Sequence, residues 1–241
     1  MIVDGWLDWA TRVDGIPDKV YSQPNSGKGI ACHSVVGQES DFEDGIPNRF
    51  FDTRRETNGR YIDAAAASVM FVLRKSGELI QMYDVSKSTW TSGGYEGNTS
   101  FWAIEAEGGL YPNYGEQLTP EAEATFIRLV TEWEAYSGLK AEPNVNILQH
   151  RQIAAKYGYA ATACASGRYD TAWARIAAGE RYDDMTPEEV AAISAGQFLE
   201  LLAQAIGAKE STFSDVASVD AIRTKLNAHK HSPKGKKGVA V

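Results

Sequence analysis

Two cysteines, Cys32 and Cys164, and four histidines are all the thiol and imidazole groups in 241 residues. That is too few cysteines for a disulfide-stapled scaffold. No apolar run approaches the roughly 18 residues of a membrane-spanning helix, so stable insertion by a helix is excluded. The first ten residues, M-I-V-D-G-W-L-D-W-A, lack a basic stretch and carry early aspartates. They do not read as a secretory signal, and synthesis in a cytoplasm is expected. There the two cysteines are expected as free thiols rather than as a Cys32–Cys164 bridge. Positive charge is also short: 24 Lys and Arg stand against 32 Asp and Glu, a net charge of −8. A general nucleic-acid binder would have the opposite balance. The exception is the end of the chain. After Asp220 there is no acid, but there are Arg223, Lys225, Lys230, Lys234, Lys236 and Lys237. This stretch reads as a basic, disordered tail over 229–241, either solubilising or drawn to an anionic surface.

What is present suits a globular α/β chain. Apolar residues make up 43%, enough for one ordinary domain with a real core. The expected division is a main domain over 1–180, a helical extension over 181–228 and the tail. Ile30–Val36 reads as a buried strand. Ser68–Leu73 reads as a second, joined by the turn R-K-S-G to a hairpin partner E-L-I-Q-M-Y. Phe101–Ala106 is a third, and Val145–Leu148 a short fourth. Thr119 has the marks of a helix N-cap, followed by Pro120 at the first helical position. Phe126, Leu129, Val130 and Trp133 fall on one face of that helix, and Gly138 ends it. Asp170 is expected to cap another helix running to Gly179. Thr186 and Pro187 open a helix in the extension. Strands interleaved with helices predict a central mixed sheet flanked by helices.

His33 lies on one predicted strand, His150 just after another, and Cys164 14 residues further on in T-A-C-A-S-G. Three His and Cys ligands with one position left for water suit a catalytic zinc, whereas a structural zinc usually has four. Taken singly, each is more often a core residue. Neighbours on a strand face opposite ways. If His33 points to a cleft, Cys32 points into the packing behind the sheet. His229 and His231 sit in the basic tail and are not expected at this site. Arg54 and Arg55 read as solvated.

The order of G-I-A-C-H-S-V-V-G, the hairpin S-V-M-F-V-L-R-K-S-G-E-L-I-Q, S-T-W-T-S-G, A-I-E-A-E-G-G, Q-H-R and T-A-C resembles the zinc-dependent N-acetylmuramoyl-L-alanine amidases over about residues 25–175. In wording it is most similar to endolysins of phages infecting actinobacteria. The resemblance implies a mixed sheet flanked by helices, a Zn2+ cofactor and bacterial peptidoglycan as substrate. It implies a monomer made in the host cytoplasm that acts on the wall after release. It makes His33, His150 and Cys164 the zinc ligands and Glu105 the general base. Thr162 matches a position whose side chain steadies an oxyanion. Glu107 shares a predicted strand face with Glu105, so pattern alone does not choose between them.

The chain also departs from relatives. Ile80 stands where some carry a catalytic tyrosine, with Tyr83 three residues on as a cleft-lining candidate. Thr91 replaces a histidine after Trp90, and C-A-S-G replaces C-P-G. Trp90 and Asn98 either fix the loop after the hairpin or touch substrate. Arg151 and Arg168 either meet a stem-peptide carboxylate or form structural pairs. The alternative readings are a cytoplasmic recycling amidase, a cysteine peptidase using Cys32 with His150, and a non-catalytic wall-binding module.

Overall fold

The structure is a computed structural model. It describes residues 1–35, 67–109 and 113–184, with the backbone alone for four short strands between 42 and 62. These residues all belong to the first of the two units into which the chain divides, Met1–Gly196. The strands are β1 (Ile2–Val3), β2 (Trp6–Leu7), β3 (Thr11–Arg12), β4 (Val20–Tyr21), β5 (Gly29–Ser34), β6 (Phe42–Glu43), β7 (Ile46–Pro47), β8 (Arg55–Thr57), β9 (Arg60–Ile62), β10 (Phe71–Leu73), β11 (Leu79–Gln81), β12 (Ser88–Thr89), β13 (Phe101–Ala106) and β14 (Ile147–Gln149). The helices are α1 (Tyr95–Ser100), α2 (Pro120–Ser137), α3 (His150–Tyr157) and α4 (Asp170–Ala177), followed by a 3-10 turn at Tyr182–Asp184.

Six strands form the central sheet in the order β14-β5-β13-β10-β11-β3. Only the β10–β11 hairpin is antiparallel; the other four pairings are parallel. The sheet is therefore mixed and flanked by helices, as the sequence pattern predicts. The adjacent interior strands β5 and β13 are buried along their whole length. That is why both read as near-continuous apolar runs, as strands covered on both faces do.

Alternation sorts the two faces. Ile30, Cys32, Trp102 and Ile104 join Phe126, Leu129, Val130 and Trp133 of α2 and Trp173 of α4 in the main core. The opposite face carries Ala31 and Phe101 against Leu148 and Ile153, and Val72, Ile80 and Ala103 in a second patch. Helix α2 begins and ends as expected. The Thr119 side chain accepts the Ala122 N–H, and Gly138 closes the helix at φ 69°, a conformation that suits a residue without Cβ.

Several boundaries differ from the sequence reading. Ser68–Met70 is buried but not strand, because the Ser68 hydroxyl donates to the Lys19 carbonyl and accepts from Trp90 N–H. The fourth strand starts at Ile147, and Val145 is exposed. Tyr169, not Asp170, is the cap of α4, with no side-chain cap bond; Asp170 is its first residue. Residues 1–21 supply the edge strand β3 beside β11. Of the expected C-terminal extension only 181–184 is described. Arg181 pairs with Glu134 of α2, and the Arg128 guanidinium lies over both the Trp9 and Tyr182 rings. The rest of the extension and the basic tail lie outside the described residues.

Trp133 is fully buried and its indole N–H donates to the Gly27 carbonyl at 3.0 Å. Trp133→Ala is expected to lower the free energy of unfolding by about 3–5 kcal/mol, and Trp133→Phe by less, as read by urea denaturation followed by circular dichroism.

Candidate metal centre

The site lies on the sheet face away from α2, at the carboxyl ends of β5 and β14. Parallel pairing places Glu105 of β13 directly beside His33 of β5, and Val72 of β10 beside Glu105. Ile80 of β11 completes the row. Residues level with one another in paired strands share a face, so His33 and Glu105 stand side by side and Cys32 points the other way. Both His33 and Glu105 are buried, at 1% and 5% exposure.

The next strand over, β14, pairs Gln149 with Cys32. His150 follows as the first residue of α3, one step along and on the His33 side. The two imidazole rings lie 4.6 Å apart, centroid to centroid. Burial lowers the His150 pKa, with a backbone contact from Ser92 opposing the shift. The neutral imidazole, the form that binds metal, is thereby favoured.

Cys164 comes from the loop between α3 and α4. Its Sγ lies 3.9 Å from His33 Nδ1 and accepts the Ser34 N–H at 3.2 Å. One donor atom from each of His33, His150 and Cys164 lies within 4.8 Å of the others. Ligands about 2.0–2.3 Å from one tetrahedral zinc would stand roughly 3.3–3.8 Å apart. The donor types and spacing therefore fit a zinc ion after small side-chain adjustment. Among the described residues this is the only group of three or more His, Cys, Asp or Glu that could hold a metal ion.

The Cys164 loop is tied down at many points. Its carbonyl accepts the Arg151 N–H at 2.7 Å, satisfying one of the donors that the start of α3 leaves open. Gln149 accepts the Gly167 N–H, and Gln117 donates to the Gly167 carbonyl. Arg168 is 1% exposed. It donates to the carbonyls of Ala106, Glu107 and Glu116 and to the Ser34 hydroxyl. Tyr169, also buried, donates its hydroxyl to the His33 carbonyl at 2.9 Å. Sequence reasoning missed the parts played by Ser34, Gln117, Gln149 and Tyr169. Their only signal was polarity within apolar or turn-forming surroundings.

The remaining expected residues divide clearly. Thr162 and Cys164 line one open pocket with Ser34, Gly109, Tyr114, Ala163 and Ser166. The Thr162 hydroxyl oxygen accepts the Cys164 N–H, which leaves its own proton available to donate. Glu107 lies just past the end of β13, and its carboxylate accepts the Lys75 N–H and pairs with Arg74. It holds the hairpin turn. Tyr83 does not line the pocket. It is buried under Gly15 with its hydroxyl donating to the Ile16 carbonyl, and burial pushes its pKa up to about 12. Asn98 fixes the loop after the hairpin, because its Oδ1 accepts the N–H groups of both Thr91 and Ser92. Arg168 is structural and Arg151 is exposed.

Cys32 and Cys164 are both free thiols. Cys32 is sealed in the main core, and burial raises its thiol pKa well above the usual value. It lacks the thiolate character and access that a cysteine nucleophile requires. The side chains of Arg54 and Arg55, and His229 and His231, lie outside the described residues.

The sequence profile of the N-acetylmuramoyl-L-alanine amidases matches residues 22–167. No curated protein sequence matches the chain. Three solved structures illustrate the likeness. An N-acetylmuramoyl-L-alanine amidase, LysC from Clostridium intestinale URNW, shares 13% identity over 69% of this chain and 96% of its own, with a TM-score of 0.45. A selenomethionine derivative of AmpD shares 19% over 62% and 86%, at 0.43. The Staphylococcus aureus hydrolase AmiA, solved with its ligand, shares 14% over 70% and 81%, at 0.46.

Replacing Arg168 by Met leaves several buried carbonyls without a donor. A loss of about 3 kcal/mol or more is expected, measured by urea unfolding. Arg168→Lys keeps the charge but not the fork and is expected to recover only part of it.

Proposed function

Since the chain belongs to the N-acetylmuramoyl-L-alanine amidase family and is thus a peptidoglycan amidase, we propose that it uses a zinc ion held by His33, His150 and Cys164 to hydrolyse the bond between the lactyl group of N-acetylmuramic acid and L-alanine. The observation that carries this reading is the convergence of these three side chains, from two strand ends and a separate loop, with donor atoms within 4.8 Å. A zinc ion there supplies a nucleophile from water at neutral pH and polarises the scissile carbonyl.

The protein's own groups do the rest. Glu105, buried beside His33, takes the proton from the attacking water and returns it to the leaving amine of L-alanine. Its apolar row-mates Val72 and Ile80 leave it as the one carboxylate in that row. The Thr162 hydroxyl donates to the oxyanion as the carbonyl becomes tetrahedral. The Ser34 N–H, donating to Cys164 Sγ, stabilises the thiolate and fixes its direction. Tyr169 and Arg168 hold the ends of β5 and β13 so that these groups do not drift.

We assign the chain a lytic rather than a recycling role. This rests on the likeness of C-H-S-V-V-G, S-T-W-T-S-G and A-I-E-A-E-G-G to lysins of phages infecting actinobacteria. Turbidity of isolated actinobacterial walls should then fall faster than a soluble muropeptide is consumed at equal enzyme. The reverse preference would favour recycling.

The purified protein is expected to hold about one zinc per chain. Chelation should abolish activity and added zinc should restore it. Digested walls should gain free L-alanine amino groups without new reducing sugar ends, as read by mass spectrometry. Cys164→Ala is expected to lose zinc and to lower activity at least about 100-fold, and Glu105→Gln to keep zinc while losing activity about as much. Cys32→Ser should leave both intact. Full activity and zinc content in Cys164→Ala would overturn the assignment.

A further inference from the structure

Tyr21, Trp90 and Tyr95 form an aromatic cluster that the proposed hydrolysis does not use. The Tyr21 ring stands near edge-on to both partners. Its centroid lies 6.0 Å from that of Trp90 at 70°, and 5.5 Å from that of Tyr95 at 85°. The core aromatics Trp102, Phe126 and Trp133 are fully sealed, whereas Tyr95 is 51% exposed and Tyr21 and Trp90 are half-buried. The Trp90 indole N–H is itself buried, with no hydrogen-bond partner among the described residues. A single exposed tyrosine needs no explanation. Three rings in fixed mutual geometry, one of them half exposed at the edge of the metal centre, do.

The cluster is held firmly and beside the metal centre. Asn98 donates to the Tyr21 hydroxyl at 3.4 Å while its Oδ1 accepts from Thr91 and Ser92. Tyr21 also pairs with Ser88 through β4 and β12. Tyr95 follows Gly94, where a Cβ would fall 2.1 Å from the Tyr159 ring. Only glycine allows the loop to lie flat there. The same loop carries Gly93, where a Cβ would stand 3.8 Å from His150 Nε2. Three residues of anchored chain thus connect Trp90 to the edge of the site.

The amide cut by this family is attached through a lactyl ether to a pyranose ring, so that sugar lies a few bonds from the scissile carbonyl. A pyranose offers an apolar C–H face and polar hydroxyl and acetamido edges. Exposed aromatic surface matches its apolar face. An acidic stem peptide matches less well, because Tyr21, Trp90 and Tyr95 carry no cation and Glu96 follows Tyr95 in the chain. We infer that Tyr21, Trp90 and Tyr95 form a sugar-binding platform that seats the glycan strand beside the site, an inference that rests on the amidase reading.

The test uses the full zinc-loaded chain with two soluble substrates: a disaccharide carrying its stem peptide, and the same peptide carrying only a D-lactyl group. Tyr95→Ala should lower kcat/KM on the sugar-bearing substrate about tenfold more than on the sugarless one. Tyr95→Phe, which keeps the ring, should stay within about twofold of the parent. Equal loss on both substrates, or no loss on either, would overturn the platform. If the parent cleaves neither substrate, the amidase reading itself fails. The platform is then decided by tryptophan fluorescence titration with chitotetraose. Saturable binding that Tyr95→Ala weakens about tenfold supports it; absent or unchanged binding overturns it.

Discussion

The in-register parallel pairing of β5 with β13 is the constraint on which the rest of the molecule depends. Six residues of each strand run level, from Gly29 beside Phe101 to Ser34 beside Ala106. This single register does two things at once. It drives Ile30, Cys32, Trp102 and Ile104 into the core under α2, and it lifts His33 and Glu105 together on the other face. A slip of one residue would turn the polar pair into the core and Cys32 and Ile104 out of it. Burial of apolar surface and the side-by-side placement of His33 and Glu105 are therefore one event. The proposed chemistry needs no separate device to bring the base beside the ligand.

The third side of the site is assembled differently. Cys164 sits on a loop, and a loop has no register to fix it. Hydrogen bonds from side chains take the place of strand pairing. Arg168 ties the loop to the ends of β5 and β13, Gln149 and Gln117 hold Gly167, and the start of α3 uses the Cys164 carbonyl as a cap. Such polar groups are costly to bury unless nearly all of their donors are used. Arg168 meets that condition, with four acceptors shared among Nε and both Nη atoms. The result is a thiol positioned against two imidazoles with little freedom to move.

The added N-terminal segment extends this logic. Residues 1–21 precede the part of the chain that matches the family profile, yet β3 widens the sheet and β4 brings Tyr21 against Trp90. The segment thus bears on the surroundings of the site as well as on the sheet edge.

Much of this was legible in the residues themselves. Buried parallel strands need unbroken apolar runs, so Phe101–Ala106 and the stretch from Ile30 to Ser34 could be read directly. Thr119, Pro120 and Gly138 marked α2 because capping is local chemistry. The opposed directions of Cys32 and His33 followed from strand geometry alone. The choice between Glu105 and Glu107 did not. Glu105 lies inside β13 beside His33, while Glu107 falls just past its end and accepts the Lys75 N–H, and only tertiary pairing fixes those two places. Tyr83 looked available from its place after the hairpin, but its burial against Gly15 comes from a segment more than sixty residues earlier. The roles of Arg168, Gln149 and Tyr169 were equally hidden, because their partners are backbone carbonyls and amides that no side-chain pattern records. The sequence by itself determined the layers and the strand faces, since periodicity and propensity act over a few residues. Tertiary structure alone decided which polar groups meet, since those encounters join segments up to 136 residues apart and depend on every intervening turn.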